Sequence, residues 1–112
     1  MKLVYIAGKY SDDTPIKIIL NVLAAIVAGE QIANAGYAVF IPHLNHFWEK
    51  IFSHPYDFWM QQDEALLDKC DALVRLPGKS SGADAEVHRA LTVLNIPVFY
   101  SVEEFLENEK AS

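Results

Sequence analysis

Four short apolar segments alternate with helix-forming segments along this chain, and this alternation constrains the fold more than any other feature. The segments are KLVYIAG, YAVFIP, DALVRL and IPVFY, at residues 2–8, 37–42, 71–76 and 96–100. Continuous apolar runs of this length are typical of strands buried on both faces, and helices between them make the sheet parallel. The sequence therefore predicts an α/β fold: a three-layer, flavodoxin- or Rossmann-like parallel sheet of about four strands, with helices on both faces.

Helices fill the intervals between these strands. We expect them at residues 16–35, 56–69, 82–94 and 101–109, with a loop or short helix at residues 43–55. Pro15 suits the first position of the first helix, and Gly36 suits the residue after its end. Ser81 and Asp84 have the S-x-x-D spacing of a capping box, which predicts the start of the third helix.

Size and composition predict a single globular domain over residues 1–112. Hydrophobic residues make up 52% of the chain and charged residues 21%, which excludes a disordered protein. The net charge of −6 argues against a nucleic-acid polymer as partner, because such binding depends on a basic face. We interpret the one cysteine, Cys70, as a buried small hydrophobe in a reducing, cytoplasmic compartment.

The most apolar stretch, residues 15–33, predicts a buried helix and no membrane partner. Lys17, Asn21 and Glu30 bound or interrupt it, its apolar core is too short to span a bilayer, and no secretory leader is visible. Its apolar side chains cover more than one face, whereas a sheet buries one stripe of a helix. We expect at least a homodimer through this helix, with the aromatic segment 43–56 near the shared edge. Alternatively, that segment or the closing helix covers the second face within one chain.

Two loops of unusual composition follow the first and third strands: GKYSDD, from Gly8, and PGKSSG, at residues 77–82. In open parallel sheets, ligands bind beyond the carboxyl ends of the strands, so both loops belong to one edge. Backbone N–H groups at a helix start, with the charges of Lys9 and Lys79, suit a phosphate. The alternative is an ordinary loop with an N-cap. The predicted phosphate cradle consists of Ser80, Ser81 and Gly82.

Acidic and aromatic residues complete the candidate site. Glu86 follows the cradle within the helix; it could pair with Arg89 in solvent, but Asp84 already supplies the acid of the capping box. Asp63, judged by spacing alone, is a solvated acid on a helix with other acids. The segment PHLNHFWEK, residues 42–50, predicts a pocket wall for a base and, lacking partners at ligand spacing, no metal site. We interpret four aromatic residues as core: Trp48, Tyr56, Phe58 and Trp59.

Together these motifs resemble the nucleoside 2-deoxyribosyltransferase superfamily, which includes the deoxynucleoside 5′-monophosphate N-glycosidases. The resemblance covers most of the chain. It rests on VYIAG at residues 4–8, on QQDEALLDKCDALV at residues 61–74, and on S-x-G-x-x-x-E at residues 80–86. It implies that Glu86 is the nucleophile, and further roles follow from the same alignment of motifs.

The resemblance implies that Tyr5 orients the Glu86 carboxylate and that Asp63 is the acid near the base and leaving group. Members that act on free nucleosides place an aspartate where this chain has Ser80, whereas the monophosphate hydrolases place a serine. A serine at a helix start donates to a phosphate, and an aspartate repels it. The implied function is therefore hydrolysis of the N-glycosidic bond of a (deoxy)nucleoside 5′-monophosphate, without a cofactor.

Two departures from the family pattern keep alternatives open. The first loop has a lysine where the hydrolases often carry an arginine, and the transferases' longer C-terminal segment has no counterpart here. The alternatives are a nucleoside 2-deoxyribosyltransferase and a nucleotide-binding module without turnover. The predicted substrate-binding residues are Gly8, Lys9, Tyr10, Ser11, His43, Asn45, Lys79, Ser80, Ser81 and Gly82.

Overall fold

A computed structural model describes residues 1–111 of the chain. Its elements, in chain order, are β1 (Leu3–Ala7), α1 (Pro15–Asn34), β2 (Ala38–Phe40), a 3₁₀ turn (Pro42–Leu44), α2 (Asn45–Ile51), α3 (Tyr56–Leu67), β3 (Ala72–Arg75), α4 (Ser81–Arg89), a π-helical turn (Ala90–Leu94), β4 (Val98–Phe99) and α5 (Val102–Ala111). Strands and helices alternate as predicted, and the predicted loop or short helix at residues 43–55 is largely helical.

The four strands form one parallel sheet in the order β2-β1-β3-β4. Side chains alternate along β1: Val4 and Ile6 pack with α1 and α5, whereas Tyr5 and Ala7 pack with α3 and α4. The sheet is therefore covered on both faces, and the predicted three-layer α/β fold is confirmed. Because the chain runs from β1 to β2 on one side and reaches β3 on the other, the carboxyl ends of β1 and β3 flank a topological switch point.

The two edge strands are shorter than predicted. β2 covers residues 38–40 of the expected 37–42, and β4 covers residues 98–99 of the expected 96–100. Each edge strand pairs on one side alone, and neither Pro42 nor Pro97 has an N–H to donate to a ladder. The apolar runs were read correctly as strands, but their ends lie outside the hydrogen-bonded sheet.

The ends of α1 confirm the predicted signals. Thr14 is the N-cap, and its Oγ1 accepts a hydrogen bond from the N–H of Lys17 at 3.2 Å. Pro15 occupies the first helical position, and Gly36 has a φ of 102°, which a residue with a Cβ rarely adopts. Cys70, at the junction of α3 and β3, is buried in the apolar core, as expected.

The predicted capping box at the start of α4 was wrong. The N-cap is Ser80, whose extended backbone lets its Oγ accept from the N–H of Ala83 at 3.1 Å. Ser81 is already the first helical residue, and Asp84 forms an ion pair with Arg75, N–O distance 2.9 Å, instead of closing a box. The helix therefore begins one residue earlier than predicted, with Ser80 as its N-cap.

Helix α1 forms one outer layer of the domain. By length and composition it is apolar enough to cross a membrane, so the argument that it is too short was wrong; core helices of globular proteins meet the same criteria. Its residues Ala25, Ala28 and Ile32 belong to the core cluster formed with α5 and the sheet, and Val22 is also buried. Only 28% of the apolar span of α1 is buried, so the expectation of a buried helix holds for one face alone.

A second face of α1 remains uncovered. Five large apolar side chains at helical spacing lie along it, each at least 36% exposed: Ile16, Ile19, Leu20, Leu23 and Val27. α5 packs beside α1 without covering this stripe. The expectation that α1 is apolar on more than one side is therefore confirmed, and the alternative in which the same chain covers the second face is wrong.

Candidate active site

A cavity of about 650 Å³ lies beside the carboxyl ends of β1 and β3. It is bounded by the loop after β1, the start of α2, one face of α3 and the first turns of α4. Its size suits a ligand as large as a nucleotide. Every predicted substrate-binding residue lines it, namely Gly8, Lys9, Tyr10, Ser11, His43, Asn45, Lys79, Ser80, Ser81 and Gly82, together with Asp63 and Glu86.

Tyr5 lies beneath the cavity floor and reaches Glu86. It is fully buried in β1, on the sheet face that α4 covers. Its hydroxyl donates a hydrogen bond to Oε2 of Glu86. Burial, followed by the charge of Glu86, raises the pKa of Tyr5 well above its ordinary value, so the hydroxyl stays protonated and remains a donor. The contact fixes one oxygen of the carboxyl group and leaves Oε1 to a ligand.

The surroundings of Glu86 raise the pKa of its carboxyl group. Burial raises its pKa to about 7, and the charge of Asp63 acts in the same direction, while the Tyr5 hydrogen bond and the charge of Arg75 oppose the rise. The alternative of a solvent pair with Arg89 was wrong, because Arg89 pairs with Glu64 and Asp68. A carboxyl group with such a pKa in a cavity is typical of a functional site.

Asp63 faces Glu86's cavity from α3 and is not the solvated acid that its spacing suggested. Oδ1 accepts a hydrogen bond from Nδ2 of Asn45 at 2.8 Å, and α2 shields the carboxyl group. Burial raises the pKa of Asp63 to about 6, and the Asn45 bond opposes that rise. The site therefore contains two carboxyl groups that both titrate near neutral pH.

The entrance to α4 offers donors to an anion. Ser80 Oγ accepts from the helix, so its own O–H remains available to a ligand. The first helical N–H groups, from Ser81 and Gly82, have no acceptor within the helix. Lys79 is exposed at the rim, whereas Nζ of Lys9 lies 3.3 Å from Oδ2 of Asp12 and shares its charge with that residue.

Arg75 holds this loop from behind. Its side chain is buried at the end of β3, donates to the carbonyl oxygen of Leu76, and contacts Oδ1 of Asp84 at 2.9 Å. A second donor lies 3.5 Å from the carbonyl oxygen of Ser80. A buried guanidinium that binds several loop oxygens makes the entrance of α4 rigid.

The loop after β1 is fixed by two histidines. Nε2 of buried His43 lies 3.2 Å from the carbonyl oxygen of Gly8, and Nδ1 has no hydrogen-bond partner among the described residues. Burial lowers the pKa of His43, which keeps the ring neutral. The Tyr10 hydroxyl lies 2.7 Å from Nδ1 of His46. Because a carbonyl oxygen accepts hydrogen bonds, Nε2 carries the ring proton, and His43 supports the loop by donating to Gly8.

Sequence reasoning missed part of the wall that α3 presents. Tyr56, Trp59 and Met60 line the cavity with Asp63, so the interpretation of Tyr56 and Trp59 as core was wrong. Their spacing of three or four residues, which places them on one helical face with Asp63, was the available signal. The interpretation as core was also wrong for Trp48, whose side chain is exposed. Glu49 was also missed; its Oε1 accepts from Nε1 of Trp59 at 2.6 Å. Within residues 1–111, no cluster of three or more metal-ligating side chains occurs.

Comparison with known proteins gives a family but no activity. Residues 2–100 match the model of a family described as a domain of unknown function, DUF4406. A search of curated proteins finds no match. The family match covers nearly the whole domain, including both loops and every residue of the candidate site.

Proposed function

Because the chain belongs to the DUF4406 family, a domain of unknown function, we propose a function from the cavity itself: hydrolysis of the N-glycosidic bond of a (deoxy)nucleoside 5′-monophosphate. The chemistry would be that of the nucleoside 2-deoxyribosyltransferase superfamily, which the sequence motifs resemble. One observation carries the proposal. Glu86, oriented by the buried Tyr5, opens onto the same cavity as the helix entrance at Ser80.

The entrance of α4 would bind the 5′-phosphate. A phosphate there receives the Ser80 O–H and the N–H groups of Ser81 and Gly82, and the helix dipole favours its charge. Lys79 adds a full charge at the rim. Glu86 lies in the second turn of the same helix, so a bound phosphate brings the sugar toward its carboxyl group.

In the first step, Oε1 of Glu86 attacks the anomeric carbon and the bond to the base nitrogen breaks. The electron pair of that bond goes to the base, which takes a proton from Asp63. Tyr5 holds the other oxygen of Glu86 and so directs the attack. Two carboxyl groups with these roles follow the general logic of glycoside hydrolysis with retention.

In the second step, water attacks the anomeric carbon and Glu86 leaves as a carboxylate. The proton of the water goes to the carboxylate of Asp63, which restores both groups. The products are the free base and the sugar 5-phosphate. Both groups change protonation near pH 6 to 7, and because the pKa of Glu86 is the higher, the form with ionised Glu86 and protonated Asp63 is the minor one.

We further propose a cytoplasmic homodimer, in which the exposed apolar stripe of α1 meets a second copy. Each of the five side chains of that stripe is at least 36% exposed, and a patch of this kind on a soluble monomer marks an interaction surface. The aromatic segment around α2 also exposes Phe47, Trp48 and Ile51, which supports its position near the shared edge.

The test of the proposed activity is a substrate panel. The purified protein is incubated with ribo- and deoxyribonucleoside 5′-monophosphates and with the matching free nucleosides, and free base is measured by liquid chromatography. We expect base release from monophosphates, at least tenfold faster than from nucleosides. Base exchange between deoxynucleosides without net hydrolysis would favour the transferase instead. Binding of monophosphates without any turnover would favour the nucleotide-binding module.

A further inference from the structure

The hydrogen bond between Asn45 and Asp63 bears on which oxygen of the Asp63 carboxyl group can carry a proton. Asn45 is the first residue of α2 and Asp63 lies on α3, so the bond joins two helices across the cavity wall. Nδ2 of Asn45 donates to Oδ1 of Asp63 at 2.8 Å. Within the described part of the chain, Oδ2 has no hydrogen-bond partner. One oxygen of the carboxyl group is thus occupied and the other is available.

An amide N–H that donates to Oδ1 requires a lone pair there. A neutral carboxyl group carries its proton on one oxygen, and a proton on Oδ1 would oppose the Asn45 donor at this distance. The proton of neutral Asp63 therefore belongs on Oδ2. An acid that must give its proton to a leaving base needs that proton on the oxygen that faces the ligand.

We propose that Asn45 is a positioning residue for Asp63: it occupies Oδ1, so the transferable proton lies on Oδ2 toward the base. The proposal rests on the proposed function for its catalytic consequence. It also changes the role of Asn45, which the sequence predicted to bind the substrate: its amide N–H binds Asp63 instead. The same bond becomes charge-assisted once the proton has left, so Asn45 also stabilises the carboxylate that forms in the first step.

A direct measurement of the Asp63 pKa tests the proposal without any activity assay. Because the Asn45 bond stabilises the ionised carboxyl group, Asn45→Leu, a substitution of similar shape without a donor, should raise that pKa above about 6. The titration is followed through the side-chain carboxyl carbon of Asp63 by NMR, assigned with Asp63→Asn. Asn45→Gln, which keeps the amide, should return the pKa toward the wild-type value. The other charged groups on the cavity wall remain in all variants: Lys9, Glu49, Glu64, Lys79, Glu86 and Arg89.

Kinetics then separate positioning from structural support. With a nucleoside monophosphate, Asn45→Leu should lower kcat about tenfold or more while KM changes less than about threefold, and Asn45→Gln should recover part of kcat. Asn34→Leu, the same change at the exposed end of α1, is the matched control and should alter neither quantity. Thermal unfolding checks that each variant is folded.

The outcomes distinguish this proposal from the proposed function. An unchanged Asp63 pKa in folded Asn45→Leu overturns the positioning role, even if the wild-type protein hydrolyses nucleotides. A raised pKa with recovery in Asn45→Gln supports the geometry, and if the wild type then releases no base, the hydrolase proposal alone fails. A raised pKa with unchanged kcat in an active enzyme also overturns the catalytic role of Asn45. If Asn45→Leu does not fold, Asn45→Ala takes its place, with the same expected rise and the same refuting result.

Discussion

Glu86→Gln should make the protein more stable at alkaline pH, because the native site holds this carboxyl group in unfavourable surroundings. Burial raises the pKa of Glu86 from its ordinary 4.5 to about 7. A native carboxyl group with a raised pKa binds its proton more tightly than the unfolded chain does. The stability from that proton is complete below pH 4.5 and is lost as the pH rises to 7.

The size of the loss follows from the shift. A difference of about 2.5 pKa units corresponds to about 3 kcal/mol of unfolding free energy above pH 7, and to less than about 1 kcal/mol at pH 5. Glutamine has nearly the same shape, keeps an oxygen for the Tyr5 hydroxyl and carries no charge. The advantage of Glu86→Gln over wild type should therefore grow by about 2 kcal/mol between pH 5 and pH 8.

Urea unfolding at pH 5 and pH 8, at one protein concentration, measures this difference. Glu107→Gln, which removes a carboxyl group exposed on α5, is the control and should follow the wild-type pH dependence. If Glu86→Gln and Glu107→Gln have the same pH dependence, then Glu86 is not desolvated in the native state. The electrostatic description of the site would then be incorrect.

Four further predictions concern the site and the assembly. Tyr5→Phe should lower kcat about 10- to 100-fold, because Glu86 loses its donor; a wild-type rate would contradict the orienting role. Ser80→Asp should lower the preference for monophosphates over nucleosides by at least about tenfold, measured as a ratio of kcat/KM values. An unchanged ratio would contradict phosphate binding at the N-terminus of α4. The rate of the wild type should follow a bell-shaped pH profile with its maximum near pH 6.5, between the pKa values of the two groups, where the form with ionised Glu86 and protonated Asp63 is a minority of the protein; a rate that rises steadily to pH 9 would contradict a role of Asp63 as the acid. Light scattering of the wild type should give at least twice 12.6 kDa at micromolar concentration and Leu23→Glu a monomer; a monomeric wild type would contradict the dimer.

The fold could be predicted because its signals are local. Each strand is one continuous apolar run, and Pro15 and Gly36 mark the ends of α1 by their own backbone preferences. The start of α4 was predicted wrongly, at Ser81, since Ser80 and Ser81 both suit an N-cap. The extended backbone of Ser80 decides between them, and neither composition nor spacing reveals it.

The candidate site was predicted where the chain supplies it from strand ends, as at Gly8 and Ser80. Where separate helices meet, residues of the site were predicted but the contact between them was not. Asn45 and Asp63 are 18 residues apart, and their contact depends on how α2 packs against α3. The sequence also could not show whether Trp59 belongs to the core or to the cavity wall, because both positions suit an apolar ring on the inner face of a helix.

The central claim is that Glu86 cleaves an N-glycosidic bond in a bound nucleotide. The most direct test measures three quantities on one nucleoside monophosphate, for wild type and Glu86→Gln: free base, sugar phosphate and nucleotide affinity by calorimetry. We predict equal amounts of base and sugar phosphate from the wild type. We predict no product from Glu86→Gln, with an affinity within about tenfold, or about 1.4 kcal/mol, of the wild type. Equal product release by Glu86→Gln, with its affinity intact, would contradict the claim.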